Sequence, residues 1–206
     1  EALVQSVNLV SIKLLREIGI PLTLNYLSRF GFSKPRLAPD LSLALGSSSF
    51  SPAEMVRAFS ILAHSKDPKD LFFIERIEDR NGKTIFQNSQ LENKKDNIDA
   101  FPWFQTQLTE EIKPFYLLPP LSRGSFEPID PRVAFITKDI LREALSRGSN
   151  RKKVQVLNRS DIAGKTGTTN DAISTWFSGF HNNLVTTVWV GTDDFSSLGN
   201  NEFGSS

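Results

Sequence analysis

The chain of 206 residues predicts a mixed α/β fold of the α+β kind, with helices gathered early and an antiparallel sheet at the end. Three observations carry this expectation. Apolar residues recur at helical spacing up to residue 64, a further strongly periodic helix opens at Asp130, and strand-like segments follow from Ile162 to Gly191.

Each element follows from local signals. Leu3, Val7, Val10, Leu14 and Ile18 recur at spacings of three and four, so most of Ala2 to Ile18 is expected to be helical, with Gly19 and Pro21 closing it. A short second helix is expected over Leu22 to Phe30, stopped by Gly31. Ser51 can cap the third, Pro52 fits its first position, and Glu54 completes a capping box ahead of Met55, Val56, Phe59, Leu62 and Ala63; the expected span is Pro52 to His64. Leu71 to Asp79 and Lys83 to Gln87 read as strands joined at Asn81-Gly82.

From about residue 88 to 130 five prolines interrupt any periodicity, and an irregular insertion is expected. Asp130 and Pro131 then cap a helix running through Val133, Ile136, Ile140, Leu141, Ala144 and Leu145 to the neighbourhood of Gly148. Ile162 to Thr168, Trp176 to Phe180 and Leu184 to Gly191 read as strands, the last two joined through His181-Asn182-Asn183.

Composition excludes several classes. With 39% hydrophobic and 23% charged residues the chain is a folding sequence, not a disordered one. A formal net charge of +1 gives no global field for nucleic acid or an anionic membrane. Cysteine is absent, which removes disulfide and thiolate chemistry. No apolar run reaches the ~20 residues of a membrane span. His64 and His181 have no companions at metal-ligand spacing, so neither a metal nor any other cofactor is expected. The abrupt start at Glu1 and the ending on Gly204-Ser205-Ser206 lead us to expect a domain truncated at both ends.

The most informative stretch is Gly164-Lys165-Thr166-Gly167-Thr168-Thr169-Asn170-Asp171, a lysine and hydroxyls set between glycines at the end of an expected strand. Glycine weakens a strand interior, so two of them flanking a lysine point to close backbone approach by a ligand or another chain. An extended peptide can pair at such an edge. The bland alternative is an edge strand with a solvated lysine.

Its company gives the motif weight. Lys165-Thr166-Gly167 resembles the third active-site motif of penicillin-binding proteins and serine β-lactamases. The continuation through Trp176-Phe177-Ser178-Gly179 and Val188-Trp189-Val190-Gly191 resembles class A, bifunctional penicillin-binding proteins, and within them the type 1A branch. Gln5-Ser6-Val7-Asn8 resembles the second motif, Ser-x-Asn, and Leu43 to Ala63 resembles the segment that follows it. The resemblance makes residues 1–206 a partial transpeptidase domain with the irregular insertion inside it. On a regular helix Ser6 and Asn8 would point about 200° apart, so sharing a cleft requires the backbone to leave helical geometry there. Read by themselves they are a polar pair at a helix start, with Asn8 as N-cap.

The resemblance implies a D,D-transpeptidase that crosslinks peptidoglycan stem peptides ending in D-Ala-D-Ala and binds β-lactam antibiotics. A hydrolytic carboxypeptidase or β-lactamase relative and a non-catalytic binding module are the alternatives. Under the resemblance Ser6 relays a proton, Asn8 holds the substrate amide, and Lys165 supplies positive charge. Thr166, Gly167, Thr168 and Thr169 form the substrate strand, with the Thr166 and Thr168 hydroxyls on the terminal carboxylate and the Thr168 N–H in the oxyanion hole. It also implies an anchor in the bacterial inner membrane outside this chain and a periplasmic location.

The family's acylated serine sits in a Ser-x-x-Lys motif that precedes Ser-x-Asn. The only match here, Ser149-Asn150-Arg151-Lys152, falls in a basic loop in the wrong order, and we reject it as the nucleophile. Two further departures are Ser174, where the family has Asp, and His64, where it has Asn. The cluster Arg142, Arg147, Arg151, Lys152, Lys153 and Arg159 is read as a solvated basic face, with anionic glycan or lipid headgroups as the alternative.

Overall fold

The structure is a computed structural model, and it describes residues 1–65, 71–88, 129–148, 151, 154, 156, 158–181 and 184–199. The chain divides into two compact units, one formed by Glu1–Pro68 with Ser122–Ser206 and the other by Lys69–Leu121.

In the larger unit, α1 (Asn8–Ile18) and α2 (Ile20–Ser28) are followed by short 3-10 turns at Lys34–Arg36 and Leu41–Leu45, then α3 (Pro52–His64). Helix α1 begins six residues later than the periodicity predicts. Residues ahead of it form a separate turn closed by Gln5 N–H to Glu1 O (3.0 Å) and Val7 N–H to Ala2 O (2.9 Å). Ser6 then adopts φ 54° and Val7 is extended, which breaks the helix. Apolar spacing cannot reveal this, because Leu3 and Val7 keep helical spacing across the break. Val7, not Asn8, is the N-cap.

Gly19 stops α1 as expected, but Pro21 opens α2 instead of closing α1. A proline in the first helical turn loses no hydrogen bond, because its missing N–H would have no partner there. Helix α2 ends at Ser28, two residues early, and Arg29, Phe30 and Gly31 continue as tighter turns that donate to the carbonyls three residues back. Helix α3 has the expected span. Its capping box is complete, with Glu54 N–H donating to Ser51 Oγ (3.3 Å) and Ser51 N–H to Glu54 Oε2 (2.8 Å).

The smaller unit contributes an antiparallel pair, β1 (Arg76–Glu78) and β2 (Thr84–Gln87). The connection is wider than a two-residue Asn-Gly turn. Asp79 Oδ1 accepts from the N–H groups of Asn81 (2.8 Å) and Lys83 (2.9 Å), so a side chain organises the loop. The irregular stretch expected from about 88 to 130 lies, apart from its ends, outside the described residues.

Helix α4 (Pro131–Arg147) is capped by Asp130, whose carboxylate accepts from Arg132 N–H (2.8 Å). Strands β3 (Ala163–Thr168), β4 (Ser174–His181) and β5 (Leu184–Gly191) form an antiparallel sheet in that order. The expected turn between the last two falls on residues 182–183, outside the described set; His181 pairs directly with Leu184.

Ala63 of α3, Leu141 of α4, Ala163 of β3 and Phe180 of β4 form one core cluster, with Phe59, Leu62 and Val185 packed against it. A second joins Ile61, Ile129 and Ala134. Both helices therefore cover one face of the sheet. The apolar stripe of α1 is not part of this core: Leu14 is 56% and Ile18 48% exposed, and the helix is anchored through Leu15. Among the described residues no helix is long and apolar enough to cross a membrane.

Candidate active site

The sheet register fixes where the glycine-flanked lysine lies. Lys165 pairs with Ser178, Thr166 with Phe177, Gly167 with Trp176 and Thr168 with Thr175. Alternation puts Lys165 and Gly167 on the helix-covered face and Thr166 and Thr168 on the other. The ammonium nevertheless turns back to the strand, donating to Thr166 O at 3.0 Å. Burial lowers the Lys165 pKa below its usual 10.5, because removing water disfavours the cation.

The same ammonium donates to Ser6 Oγ at 2.5 Å. This contact depends on α4, which lies against β3 and carries the N-terminal turn at its C-terminal end. Gln5 Nε2 donates to Arg147 O (3.5 Å), Arg147 pairs with Glu1 (3.1 Å), and Val4 is buried. Gly148 makes the close approach possible: a Cβ there would sit 2.8 Å from Val4 O and 2.1 Å from Ala144 O. The departure from helix required for Ser6 and Asn8 is present as the left-handed φ of Ser6, and Asn8 follows as the exposed first residue of α1.

The two glycines differ in role. A Cβ on Gly164 would lie 2.8 Å from Ser178 O and 3.1 Å from the Phe177 ring, so this glycine admits the neighbouring strand and an aromatic ring, not a ligand. That corrects the expectation that both serve an outside group. At Gly167 the nearest atom, Trp176 Cβ, is 3.5 Å from the added carbon, an ordinary contact.

Thr169 follows β3. Its hydroxyl accepts from Ser174 N–H (2.8 Å) and donates to Ser174 O (3.2 Å), closing the β3–β4 connection. The structure thus brings Ser6 and Lys165 into contact and sets Thr166, Gly167, Thr168 and Thr169 along and just beyond β3. In the basic cluster, Arg142 pairs with Asp139, Arg147 with Glu143, and Arg159 with Asp161, so these three charges are met by neighbouring carboxylates. Ser149, Lys152 and Lys153 lie outside the described residues.

One polar group escaped sequence reasoning. Asp161 accepts two hydrogen bonds from Arg159 (2.9 and 2.8 Å) and lies 2.6 Å from His181 Nε2, joining the start of β3 to the end of β4. The Arg159 guanidinium holds the Asp161 carboxyl well below the usual carboxylate range. Only the strand pairing brings His181 to Arg159 and Asp161, and no local pattern signals it.

Comparison with known proteins bears on the family and the fold of the chain. Residues 1–194 match the family described as penicillin binding protein transpeptidase domain. Penicillin-binding protein 1A of Pseudomonas aeruginosa is 34% identical over 99% of this chain and 27% of its own length. The protein of the same name from Neisseria gonorrhoeae is 34% identical over 99% of this chain and 22% of its length. A crystal structure of penicillin-binding protein 1A from Haemophilus influenzae matches 99% of this chain and 31% of that chain, at 30% identity and a TM-score of 0.69. The chain thus spans about a quarter of the length of the curated relatives it matches. With mixed helices and antiparallel sheet, an N-terminal turn meeting the Lys165 strand, and relatives of the 1A type across its length, the chain belongs to the penicillin-binding protein transpeptidase family.

Proposed function

We propose that this chain forms the supporting wall of a serine-type D,D-transpeptidase site that crosslinks peptidoglycan stem peptides and is acylated by β-lactams. One observation carries the reading: the 2.5 Å contact between Lys165 Nζ and Ser6 Oγ. A lysine with a depressed pKa on a serine hydroxyl is a proton relay with a charge beside it.

In this reading the nucleophilic serine belongs to a Ser-x-x-Lys segment of the longer gene product, upstream of Glu1. Its oxygen bonds to the carbonyl carbon of the penultimate D-Ala, and the amide bond to the terminal D-Ala breaks. The proton leaving the serine reaches the departing amine through Ser6, which gives one proton as it takes another. Lys165, itself half-buried, donates to Ser6 Oγ throughout, and its charge favours the developing negative charge. Asn8 holds the substrate amide. Thr166 and Thr168 bind the terminal carboxylate, Gly167 leaves room for the peptide, and the Thr168 N–H serves the oxyanion. An acceptor amine from a second stem peptide then releases the serine. No metal or cofactor enters these steps. The whole protein is read as anchored at the periplasmic face of the bacterial inner membrane.

The test is labelling with a fluorescent penicillin. The full-length product is expected to carry label on a serine upstream of Glu1, and the 206-residue chain alone is expected to carry none. Label at Ser149 in the short chain, or none in the full-length protein, would overturn the proposal, the latter favouring a non-catalytic binding module.

A further inference from the structure

Beyond β3 the chain makes a strained turn before β4. Asp171 (φ 59°) and Ala172 (φ 50°) both lie in the left-handed region, although neither is glycine. Two consecutive residues of this kind persist only where surrounding structure holds them.

The holding groups come from two directions. From within, Thr169 N–H donates to Ser174 O (3.1 Å), its hydroxyl bridges both backbone groups of Ser174, and Ala172 N–H donates to Thr169 O (3.2 Å). From outside, the chain returns after β5. Ser197 Oγ donates to Asp171 O (2.6 Å) and Leu198 N–H to Ala172 O (2.9 Å). The carbonyls gripped are those of the two left-handed residues.

The returning segment is itself tied. Phe195 N–H donates to Thr192 O (3.2 Å), Thr192 Oγ1 to Ser196 O (3.1 Å), and Ser196 N–H to Asp194 Oδ1 (3.2 Å). A pre-shaped loop therefore delivers Ser197 to the turn. Thr168, the last residue of β3, stands one position from Thr169, and its place opposite Thr175 depends on where that turn lies. In the sheet as described, β3 is an edge strand.

We propose that Ser197 and Thr169 are positioning residues, which set the substrate-binding end of β3 by holding the β3–β4 turn; this rests on the function proposed above. Thr169 then acts through its bond to Ser174, not by touching substrate. The turn places groups that bind the ligand's carboxylate, so its loss should weaken the first encounter more than the bond-making step.

The experiment is stopped-flow acylation of the full-length protein by a fluorescent penicillin, separating the dissociation constant of the initial complex from the acylation rate constant. Ser197→Ala and Thr169→Val are each expected to raise that dissociation constant about tenfold, equivalent to 1.4 kcal/mol, with the rate constant changed less than about twofold. Thr169→Ser, which keeps the hydroxyl, is expected to restore the wild-type constant. Unchanged binding in both variants, an equal loss in both constants, or failure of Thr169→Ser to rescue would overturn the inference. If Thr169→Val does not fold, Ser197→Ala decides alone. Absence of label in the wild-type protein would instead defeat the functional reading, and this inference with it.

Discussion

Lys165 Nζ lies 2.5 Å from Ser6 Oγ, although 159 residues separate them in the chain. If the two act as one relay, removing either should remove most of what both supply. In the full-length protein Ser6→Ala and Lys165→Ala are each expected to slow penicillin acylation on the order of 10²-fold, with the double variant little worse than the poorer single. Additive losses would mean that the residues act separately.

The lowered pKa of Lys165 makes a pH prediction with a definite sign. The cation is the form that donates to Ser6, so activity should fall as pH rises through the lowered pKa, and the alkaline limb should lie below pH 10.5. Lys165→Arg keeps its charge at far higher pH. Its limb should move upward even if its maximal rate is poor. A limb at the same pH in both proteins would assign the titration elsewhere.

Gly148 is where α4 meets the N-terminal turn. Gly148→Ala should cost about 1–3 kcal/mol through overpacking against Val4 O and Ala144 O, and it should slow acylation because Ser6 rides on the displaced turn. Ala134→Gly, in the core cluster with Ile61, supplies the control. A comparable loss of thermal stability there should leave acylation of the folded fraction intact.

The start of α3 allows a test of acid stability. Burial pushes the Glu54 pKa up, but hydrogen bonds from Ser51 and Arg36 outweigh it, and the net shift is downward from 4.5. A carboxyl depressed in the folded state contributes stability above its unfolded pKa and loses it as pH falls through the folded value. Glu54→Gln should therefore unfold at lower denaturant than the parent at pH 7, with the gap narrowing below about pH 4.5. Ser51→Ala should cost about 1 kcal/mol.

Asp161 follows the same sign in a more exposed place. Its carboxyl is held down first by Arg159, so its contribution is present above 3.8 and fades as the solution becomes more acid. Asp161→Asn should flatten the stability curve below that pH. Chemical denaturation at several acid pH values would measure it, and a parallel shift of the whole curve would contradict it.

The fold was legible where its determinants are local. Ser51, Pro52 and Glu54 announce α3, and Asp130 with Pro131 announces α4, because caps act within one turn of chain. Periodicity told which residues of α1 share a face, but not which face the core would take: Leu14 and Ile18 lie outward. The Ser6 break was signalled only by the resemblance, under which Ser6 and Asn8 would share a cleft. The Asp161 and Ser197 contacts had no sequence signal, since each depends on strands or loops meeting across the fold.

The support that α4 gives to Ser6 has a consequence for the order of events during synthesis. Ser6 is made 159 residues before Lys165, which arrives with β3, and β3 needs β4 and β5 to complete its sheet. Contacts of such long range repay their loop-closure entropy only late. During translation Ser6 must therefore wait for its partner until β3, β4 and β5 have emerged. A nascent chain stalled before β3 can therefore hold folded helices and still lack the contact between Ser6 and Lys165.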